Sequence, residues 1–307
     1  MNQPPSVAII ILNWNGKADT LACLESVFQM DYPAYRVLVV DNGSTDGSGK
    51  LIRERFPAVR LIENGANLGF VGGNNVALQE VLADGDEYAL LLNNDTEVAP
   101  GFLAPMVAAL EADPQAGIAG PTICYYNEPG IIWSAGGSID WKKGITRMIG
   151  LDEANTGQYG TAPGEVDFVT GCALLIKTRV VRQIGGLEEK FFAYYEETEW
   201  CVRARNAGYH CLFVPQALIW HKITRVAREA SPQVHYYMTR NRLLFIRLAR
   251  MGLAPLLRTL FLDYGRTLVS WTFKKRWRSK RPQRRAMILA IKDYCTGHFG
   301  KVDMIAH

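Results

Sequence analysis

Tyr88-Ala-Leu-Leu-Leu-Asn-Asn-Asp95-Thr-Glu-Val98 is an apolar run that stops abruptly at two amides and a carboxylate. A run of this length between polar residues predicts a buried strand, and in open α/β sheets the ligand crevice lies just beyond strand C-termini. Asp95 then stands at the mouth of that crevice. A carboxylate there can hold a divalent cation against nucleotide phosphates, hard oxygen to hard metal, whereas the Asn93 amide offers a neutral oxygen. Taken alone, Asn93-Asn94-Asp95-Thr96 reads at least as well as an Asx-rich turn, so the neighbouring segments must decide.

Those segments repeat the pattern. Val7-Ala-Ile-Ile-Ile-Leu12 is a continuous β-branched run closed by Asn13-Trp-Asn-Gly16, and Tyr35-Arg-Val-Leu-Val-Val40 runs into Asp41-Asn-Gly-Ser-Thr-Asp46. Val59 to Ile62 predicts a short third strand. Between them Leu21, Leu24 and Phe28 keep helical spacing, Gly49 to Phe56 reads as a helix, and Asn67-Leu-Gly-Phe-Val-Gly-Gly-Asn-Asn75 is a glycine-rich turn leading into one. Strands alternating with helices on this scale predict an α/β fold, a mostly parallel Rossmann-like sheet flanked by helices. Polar residues at successive strand ends would share one edge and make a nucleotide pocket. A P-loop is excluded because Leu follows Gly49-Lys50, and no G-x-G-x-x-G follows the first strand.

The composition, 48% hydrophobic and 21% charged over 307 residues, is that of a globular chain with a substantial core. Cys23, Cys124, Cys172, Cys201, Cys211 and Cys295 form no C-x-x-C pair, which predicts buried free thiols in a reducing compartment. No secretory signal precedes the first strand, so the expected location is cytoplasmic. After a helix from Leu103 to Glu111, Gly117 to Pro121 predicts a strand and turn. Ile131 to Ile149 suggests a hairpin across the pocket, and Leu151 to Glu165 a mobile loop. Val166 to Ile176 reads as one buried strand broken at Thr170-Gly171, where a glycine signals close backbone approach to a ligand.

A second acidic cluster lies in Phe191-Phe-Ala-Tyr-Tyr-Glu196-Glu197-Thr-Glu199-Trp-Cys-Val-Arg203. Helical spacing stacks Glu196 with Glu199 and Arg203, while Glu197 projects apart. One reading is a solvated helix start with Glu199 paired to Arg203. The other is a general base, since the preceding aromatic run would shield a carboxylate and raise its pKa. Trp220-His221, at the end of a further strand, brings a histidine toward the same neighbourhood.

The ordered set Asn13-Trp-Asn, Val-Asp41-Asn-x-Ser, Asn67-x-Gly-Phe-x-Gly-Gly-Asn, Leu-Asn93-Asn94-Asp95, Phe-Val-Thr170-Gly171, Phe-Phe-x-Tyr-x-Glu196-Glu197 and Trp220-His221 resembles the family 2 glycosyltransferases, in particular their bacterial rhamnosyltransferase-like branch. The resemblance covers about residues 5 to 250. It implies a GT-A fold, a nucleotide-sugar donor, a divalent metal (Mn2+ or Mg2+) and inversion at the anomeric carbon. By the same resemblance Asp41 is the acid that contacts the nucleoside, with Asn13, Asn67 and Gly69 lining its pocket. Asn93 and Asp95 are the two ends of a D-x-D-like motif flanking Asn94, Asp95 being the metal ligand with His221 completing the site. Glu197 matches the catalytic base. Three departures stand out: Asn93 replaces the first Asp, Glu197 replaces Asp as base, and Glu199 stands where members often have Asp. Thr170, Gly171, Glu196, Glu199 and Trp220 are assigned to acceptor or structural support.

The domain reading is a GT-A catalytic domain over 1–235, its nucleotide-binding half about 1–100 and its acceptor half about 101–235, followed by a C-terminal helical, basic region over 236–307. Arg240-Asn241 begins that region, and donor phosphate, a lipid-diphosphate acceptor and ordinary helix packing are alternative contacts for it. From Arg240 to Arg285, Asp263 is the only carboxylate. Leu253, Leu256, Leu257, Leu260, Phe261, Tyr264, Leu268 and Trp271 keep helical spacing, interrupted by too many charges to span a bilayer. With Phe273 to Arg285 they suit an interfacial helix on an anionic membrane surface, hence a peripheral location on the inner face of the plasma membrane; a homodimer surface is the competing reading, and no base-reading motif points to nucleic acid. The function expected is an inverting, metal-dependent hexosyltransferase moving a sugar such as rhamnose to a lipid-linked or polysaccharide acceptor of the cell envelope. The alternatives are a nucleotide-sugar-binding scaffold and a nucleotidyltransferase.

Overall fold

The computed structural model describes residues 3–224 and 231–302. In chain order the elements are β1 (Val7–Asn13), α1 (Lys17–Val27), β2 (Tyr35–Asp41), α2 (Ser48–Arg55), β3 (Arg60–Glu63), α3 (Gly69–Asp84), β4 (Tyr88–Asn93), β5 (Thr96–Val98), α4 (Leu103–Ala112), β6 (Ala116–Tyr125), β7 (Glu128–Ser134), β8 (Gly137–Asp140), β9 (Ile145–Met148), β10 (Gly164–Val166), β11 (Ala173–Lys177), α5 (Thr178–Ile184), α6 (Glu196–Asn206) and β12 (His210–His221). The C-terminal region adds α7 (Pro232–Leu248), α8 (Leu253–Leu257), a π-helical stretch (Arg258–Gly265), α9 (Arg266–Phe273) and α10 (Arg281–Thr296).

One sheet runs in the order β10-β12-β6-β11-β4-β1-β2-β3, with β5 beside β12 and β7 beside β6. The first four strands in sequence order around β1 are parallel to one another. Beyond β4 the sheet becomes mixed, because β11 runs antiparallel to both β4 and β6. Burial on both faces explains the unbroken apolar runs. Val7, Ile9 and Ile11 of β1 join Leu90 and Leu92 in the core under α1, α2 and α4, while Ala8, Ile10, Ala89 and Leu91 face the core under α3, α5, α6 and α7. Asn13 pairs in register with Asp41, and Leu12 with Asn93. The polar strand ends therefore reach one edge together, as their sequence pattern implied.

Two strand readings need correction. The run from Val166 to Ile176 is not one strand: β10 pairs with β12, β11 lies between β4 and β6, and residues 167–172 cross between them. Small residues allow this crossing, since a Cβ on Gly137 would fall 2.1 Å from the Phe168 ring and one on Gly120 2.7 Å from Val169. The strand expected to turn at Pro121 continues to Tyr125. Pro121 stays in register with Val214 of β12, and β11 has already left the ladder there, its last partner being Ala119. The loop from Leu151 is fastened at its start, where Asp152 and Asn155 donate backbone bonds to Ile132 and Gly130 at 2.9 and 2.8 Å.

α7 decides how the acidic helix α6 begins. Phe192, Tyr194 and Tyr195, immediately before α6, have φ of 66°, 71° and 74°, a left-handed backbone that costs non-glycine residues energy and turns carbonyls inward. Arg240 and Asn241 meet the carbonyls of residues in and beside this segment. The Arg240 guanidinium donates to Gly300 O (2.8 Å), Lys190 O (3.2 Å) and Phe191 O (3.1 Å). Asn241 Nδ2 donates to Phe191 O, Ala193 O and Tyr194 O at 3.0, 2.7 and 2.9 Å. The aromatic rings of Tyr236 and Tyr237 stand 5.2 Å from the guanidinium. Both side chains are sealed from solvent, so the phosphate-contact reading fails for them and the packing reading stands.

The predicted apolar stripe of the C-terminal region splits. Leu256, Leu260, Tyr264, Leu268 and Trp271 pack with Leu243 and Met287, whereas Leu253, Leu257 and Phe261 are exposed. The intervening π-helical stretch shifts the side-chain phase, so a 3.6-residue pattern cannot stay on one face. Among the described residues no helix is long and apolar enough to cross a membrane. Five cysteines are buried and free, and Cys295 is free and exposed.

Substituting Asn241 tests the clamp. Asn241→Ala should lower stability by about 1–3 kcal/mol by orphaning buried carbonyls. Asn241→Asp, nearly the same shape, should lower it further by setting a carboxylate oxygen against those carbonyls; equal urea midpoints for the two variants and the parent would contradict the clamp.

Candidate active site

At the end of β1 the Asn13 side chain is fully buried and engaged on both sides. Its Nδ2 donates to Asp41 Oδ1 (2.7 Å), Ser48 Oγ (2.8 Å) and Ser44 Oγ (3.1 Å), and its Oδ1 accepts from Thr20 Oγ1 (2.8 Å) and Gly16 N (3.2 Å). An amide so occupied has no atom left to offer a ligand directly. Asn13 builds the wall, and Asp41, whose Oδ2 accepts from Ser44 N at 3.0 Å, is the acid held beside it. The network reaches β4 through Asn94 Nδ2, which donates to Thr20 Oγ1 at 2.8 Å. Thr20, Ser44 and Ser48 were not singled out in the sequence; the Ser and Asp density between Asp41 and Ser48 was the available signal.

Asn67 Oδ1 accepts from Gly69 N at 2.8 Å, opening α3. Gly69 has φ +75°, and a Cβ there would lie 2.5 Å from the Phe192 ring. Val71 N donates to Phe192 O at 3.1 Å, so the glycine turn abuts the left-handed segment before α6.

Asp95 follows β4 as the sequence placed it. Its Oδ2 lies 3.2 Å from His221 Nε2, and Lys222 N donates to Asp95 O at 2.8 Å. The pairing of β5 with β12 sets His221 opposite Thr96, and the Trp133 ring stands edge-on to the imidazole at 4.7 Å. Burial works to raise the Asp95 pKa, but the His221 hydrogen bond and the charges of His221 and Lys222 outweigh it and hold the carboxyl below its ordinary range. Asp95 Oδ1 is buried without a hydrogen-bond partner among the described residues, while the His221 ring also meets the Cys172 thiol. No group of three or more His, Cys, Asp or Glu side chains is arranged to hold a metal there or elsewhere among the described residues. The Asp95 carboxylate and the His221 Nε2 that faces it are two donors that fit a cation whose remaining ligands are diphosphate oxygens and water.

Glu196 and Glu197 open α6 with one carboxylate oxygen each buried and unpartnered. Burial raises the Glu197 pKa, against which the helix-start backbone N–H groups work only partly. Burial and then the Glu197 charge push Glu196 well above the ordinary carboxylate range. Gly171 lies beside this pair: a Cβ there would meet Phe70 at 3.0 Å and Glu197 Cβ at 3.6 Å. Thr170 Oγ1 is likewise buried and unpartnered. Two residues on, the Cys172 carbonyl accepts from Asn93 N at 2.9 Å, so residues 170–172 touch both the β4 terminus and the α6 acid pair.

Other predicted residues lie elsewhere. Glu199 is bound by Arg203 (Nη2 to Oε2, 2.7 Å), and Arg203 also donates to the carbonyls of Ile184 and Gly186 at 2.8 Å; this is the structural alternative for Glu199. Trp220 alternates with His221 along β12 and packs with Phe213 and Ile132.

Comparison with known proteins gives the family and the fold. The sequence model of Glycosyl transferase family 2 matches residues 8–185. The chain is 30% identical over 242 residues to the low-salt glycan biosynthesis hexosyltransferase Agl10 of Haloferax volcanii, covering 78% of this chain and 74% of that protein. It is 29% identical over 214 residues to the N-acetylglucosaminyl-diphospho-decaprenol L-rhamnosyltransferase of Mycobacterium tuberculosis, covering 64% and 69%. Among solved structures it superposes on the mannosyltransferase PcManGT of Pyrobaculum calidifontis, in complex with GDP-Man and Mn2+, with a TM-score of 0.56 at 15% identity over 95% and 88% of the two chains. It also superposes on S. aureus TarS 1-349 with a TM-score of 0.57 at 14% identity over 98% and 94%. The chain is a rhamnosyltransferase-like member of glycosyl transferase family 2 with the GT-A fold, a sugar-transferring enzyme of glycan synthesis.

Proposed function

We propose that the enzyme transfers a sugar, such as rhamnose, from a nucleoside-diphosphate donor to a hydroxyl of a lipid-linked or polysaccharide acceptor, with inversion and with a divalent metal, Mn2+ or Mg2+. The observation that carries this reading is the placement of unpartnered buried atoms: Asp95 Oδ1, Thr170 Oγ1 and the Oε2 atoms of Glu196 and Glu197 belong to the β4 end, the crossing segment and the helix start just described. Buried polar atoms without partners are costly and mark places where a ligand completes the structure. The relatives' names supply the sugar and acceptor classes, since one is a rhamnosyltransferase acting on a diphospho-decaprenol.

In this mechanism Asp41 holds the nucleoside, and Asn13 and Ser44 hold Asp41. Asp95 and His221 are the residues that would hold the metal, which when bound supplies positive charge against the departing diphosphate. The acceptor hydroxyl attacks the anomeric carbon as the carbon–oxygen bond to diphosphate breaks, and its proton passes to a Glu197 carboxylate oxygen. A raised pKa makes that carboxylate a stronger base than an exposed glutamate. One displacement inverts the centre, and no protein nucleophile is needed. Exposed Leu253, Leu257 and Phe261, together with the basic segment that follows them, support a peripheral position on the inner membrane face beside a lipid-linked acceptor.

The test is transfer with purified protein, scored by release of a nucleoside diphosphate; release of inorganic diphosphate would mean nucleotidyl transfer, and binding without release a scaffold. Glu197→Gln should reduce turnover about 100-fold or more while leaving donor binding near the parent value. Asp95→Asn should abolish the extra thermal stabilisation that Mn2+ gives in the presence of a nucleoside diphosphate, about 2.7 kcal/mol at ligand concentrations of 100 times Kd. The base must be ionised, so turnover should climb with pH along a limb displaced above the ordinary glutamate pKa of about 4.3, and a limb at or below that value would remove Glu197 from the role. Stability has the opposite sign. From the ordinary glutamate range up to its raised native pKa, Glu196 binds more protons folded than unfolded, so stability falls as pH rises through that window. Glu196→Gln should therefore flatten the decline of Tm with pH and lose this advantage at about pH 4 and below.

A further inference from the structure

A cavity of about 390 Å³ opens in the C-terminal region between α9 and the start of α10. Lys274, Lys275, Arg278, Arg281, Arg284 and Arg285 line it, with Trp271 and Phe273 on its apolar side. No Asp or Glu occurs between Asp263 and Asp293 in the sequence. Asp263 itself is engaged by Arg242 at 2.7 Å and Arg258 at 3.6 Å. Among the described residues none of the six cations is paired with a carboxylate. Like charges gathered around one concavity repel and focus a positive potential into it, and a multivalent anion relieves that repulsion. Arg forks match phosphate oxygens, and a volume of this size is in the range that takes a small ligand.

The apolar surroundings say which phosphate. Phe273, in the cavity wall, is 78% exposed, and Phe261 and Val269 on the preceding turns are 70% and 59% exposed. A soluble anion has no use for these exposed side chains, whereas a lipid headgroup brings acyl chains that can cover them. A nucleic acid would meet the same charges but leave Phe261 and Val269 in water.

We propose that this cavity is a lipid-phosphate site, separate from the sugar-transfer site, which takes a phosphomonoester or diphosphate headgroup while Phe261, Val269 and Phe273 enter the acyl boundary. It does not depend on the reaction assigned to Glu197, and its test reads no turnover. The full chain is cosedimented with phosphatidylcholine vesicles carrying phosphatidic acid or, at matched surface potential, phosphatidylglycerol. Preference for the monoester headgroup is expected, with inorganic diphosphate competing it away. The exposed or half-exposed pair Arg281→Gln/Arg284→Gln should weaken partitioning roughly 20- to 30-fold, about fivefold per cation near an anionic leaflet, and erase the preference with an unchanged thermal melt. The control pair Arg276→Gln/Lys292→Gln, outside the cavity wall, should weaken partitioning but keep the preference. Equal binding to the two lipids, or equal loss of preference in both pairs, would reduce the site to a diffuse basic surface and overturn it. Protection by inorganic diphosphate without vesicle binding would assign the cavity to a soluble phosphate, and tighter binding of a single-stranded RNA oligonucleotide than of vesicles would assign it to nucleic acid; either overturns the lipid source.

Discussion

The Asn13 amide, closed off from water at the end of β1, anchors a network that joins three strand ends and two helices. Through it the Asp41 carboxylate, the Ser44 and Ser48 hydroxyls and Thr20 share one hydrogen-bond network, which Asn94 extends to the end of β4. Parallel strands leave their last residues without ladder partners, and a polar end that is also buried must find bonds elsewhere. The network meets that requirement and at the same time fixes the crevice geometry. Such a site is rigid because its polar members hold one another, and the position of Asp41 follows from neighbours that need never touch a ligand.

On the other side of the crevice the problem is reversed. The α6 acids are uncomfortable where they stand, desolvated and next to each other, and the backbone before them is left-handed at Phe192, Tyr194 and Tyr195. Neither condition persists without support. The support comes from α7, where Arg240 and Asn241 serve as internal donors, and from the Glu199–Arg203 pair that fastens α6 to the carbonyls of Ile184 and Gly186. The C-terminal region is thus part of the machinery that shapes the acid pair as well as an appendage with its own surface.

Much of this was legible in the sequence, for identifiable reasons. Val7 to Leu12, Tyr35 to Val40 and Tyr88 to Leu92 announce doubly buried parallel strands because no polar residue interrupts them. Asp95 and His221 were marked by their places at strand ends, and the raised pKa of Glu197 was expected from the shielding aromatics before it. The break at Thr170-Gly171 was visible, but not that the chain changes strand partners across it, since pairing is a non-local property with no local code. Arg240 was ambiguous for a similar reason: a basic residue in a helix gives no sign of whether carbonyls or phosphates await it. The apolar stripe after Leu253 misled because a π-helical stretch alters the period on which the reading rested.

The contact between Gly69 and Phe192 joins the two sides of the crevice. Any side chain at Gly69 would displace the Phe192 ring, and Phe192 O is already bound by Val71 N. The glycine turn and the aromatic hinge of α6 thus behave as a single mechanical joint. Displacing either element would therefore disturb the ring contact and the Val71–Phe192 hydrogen bond together.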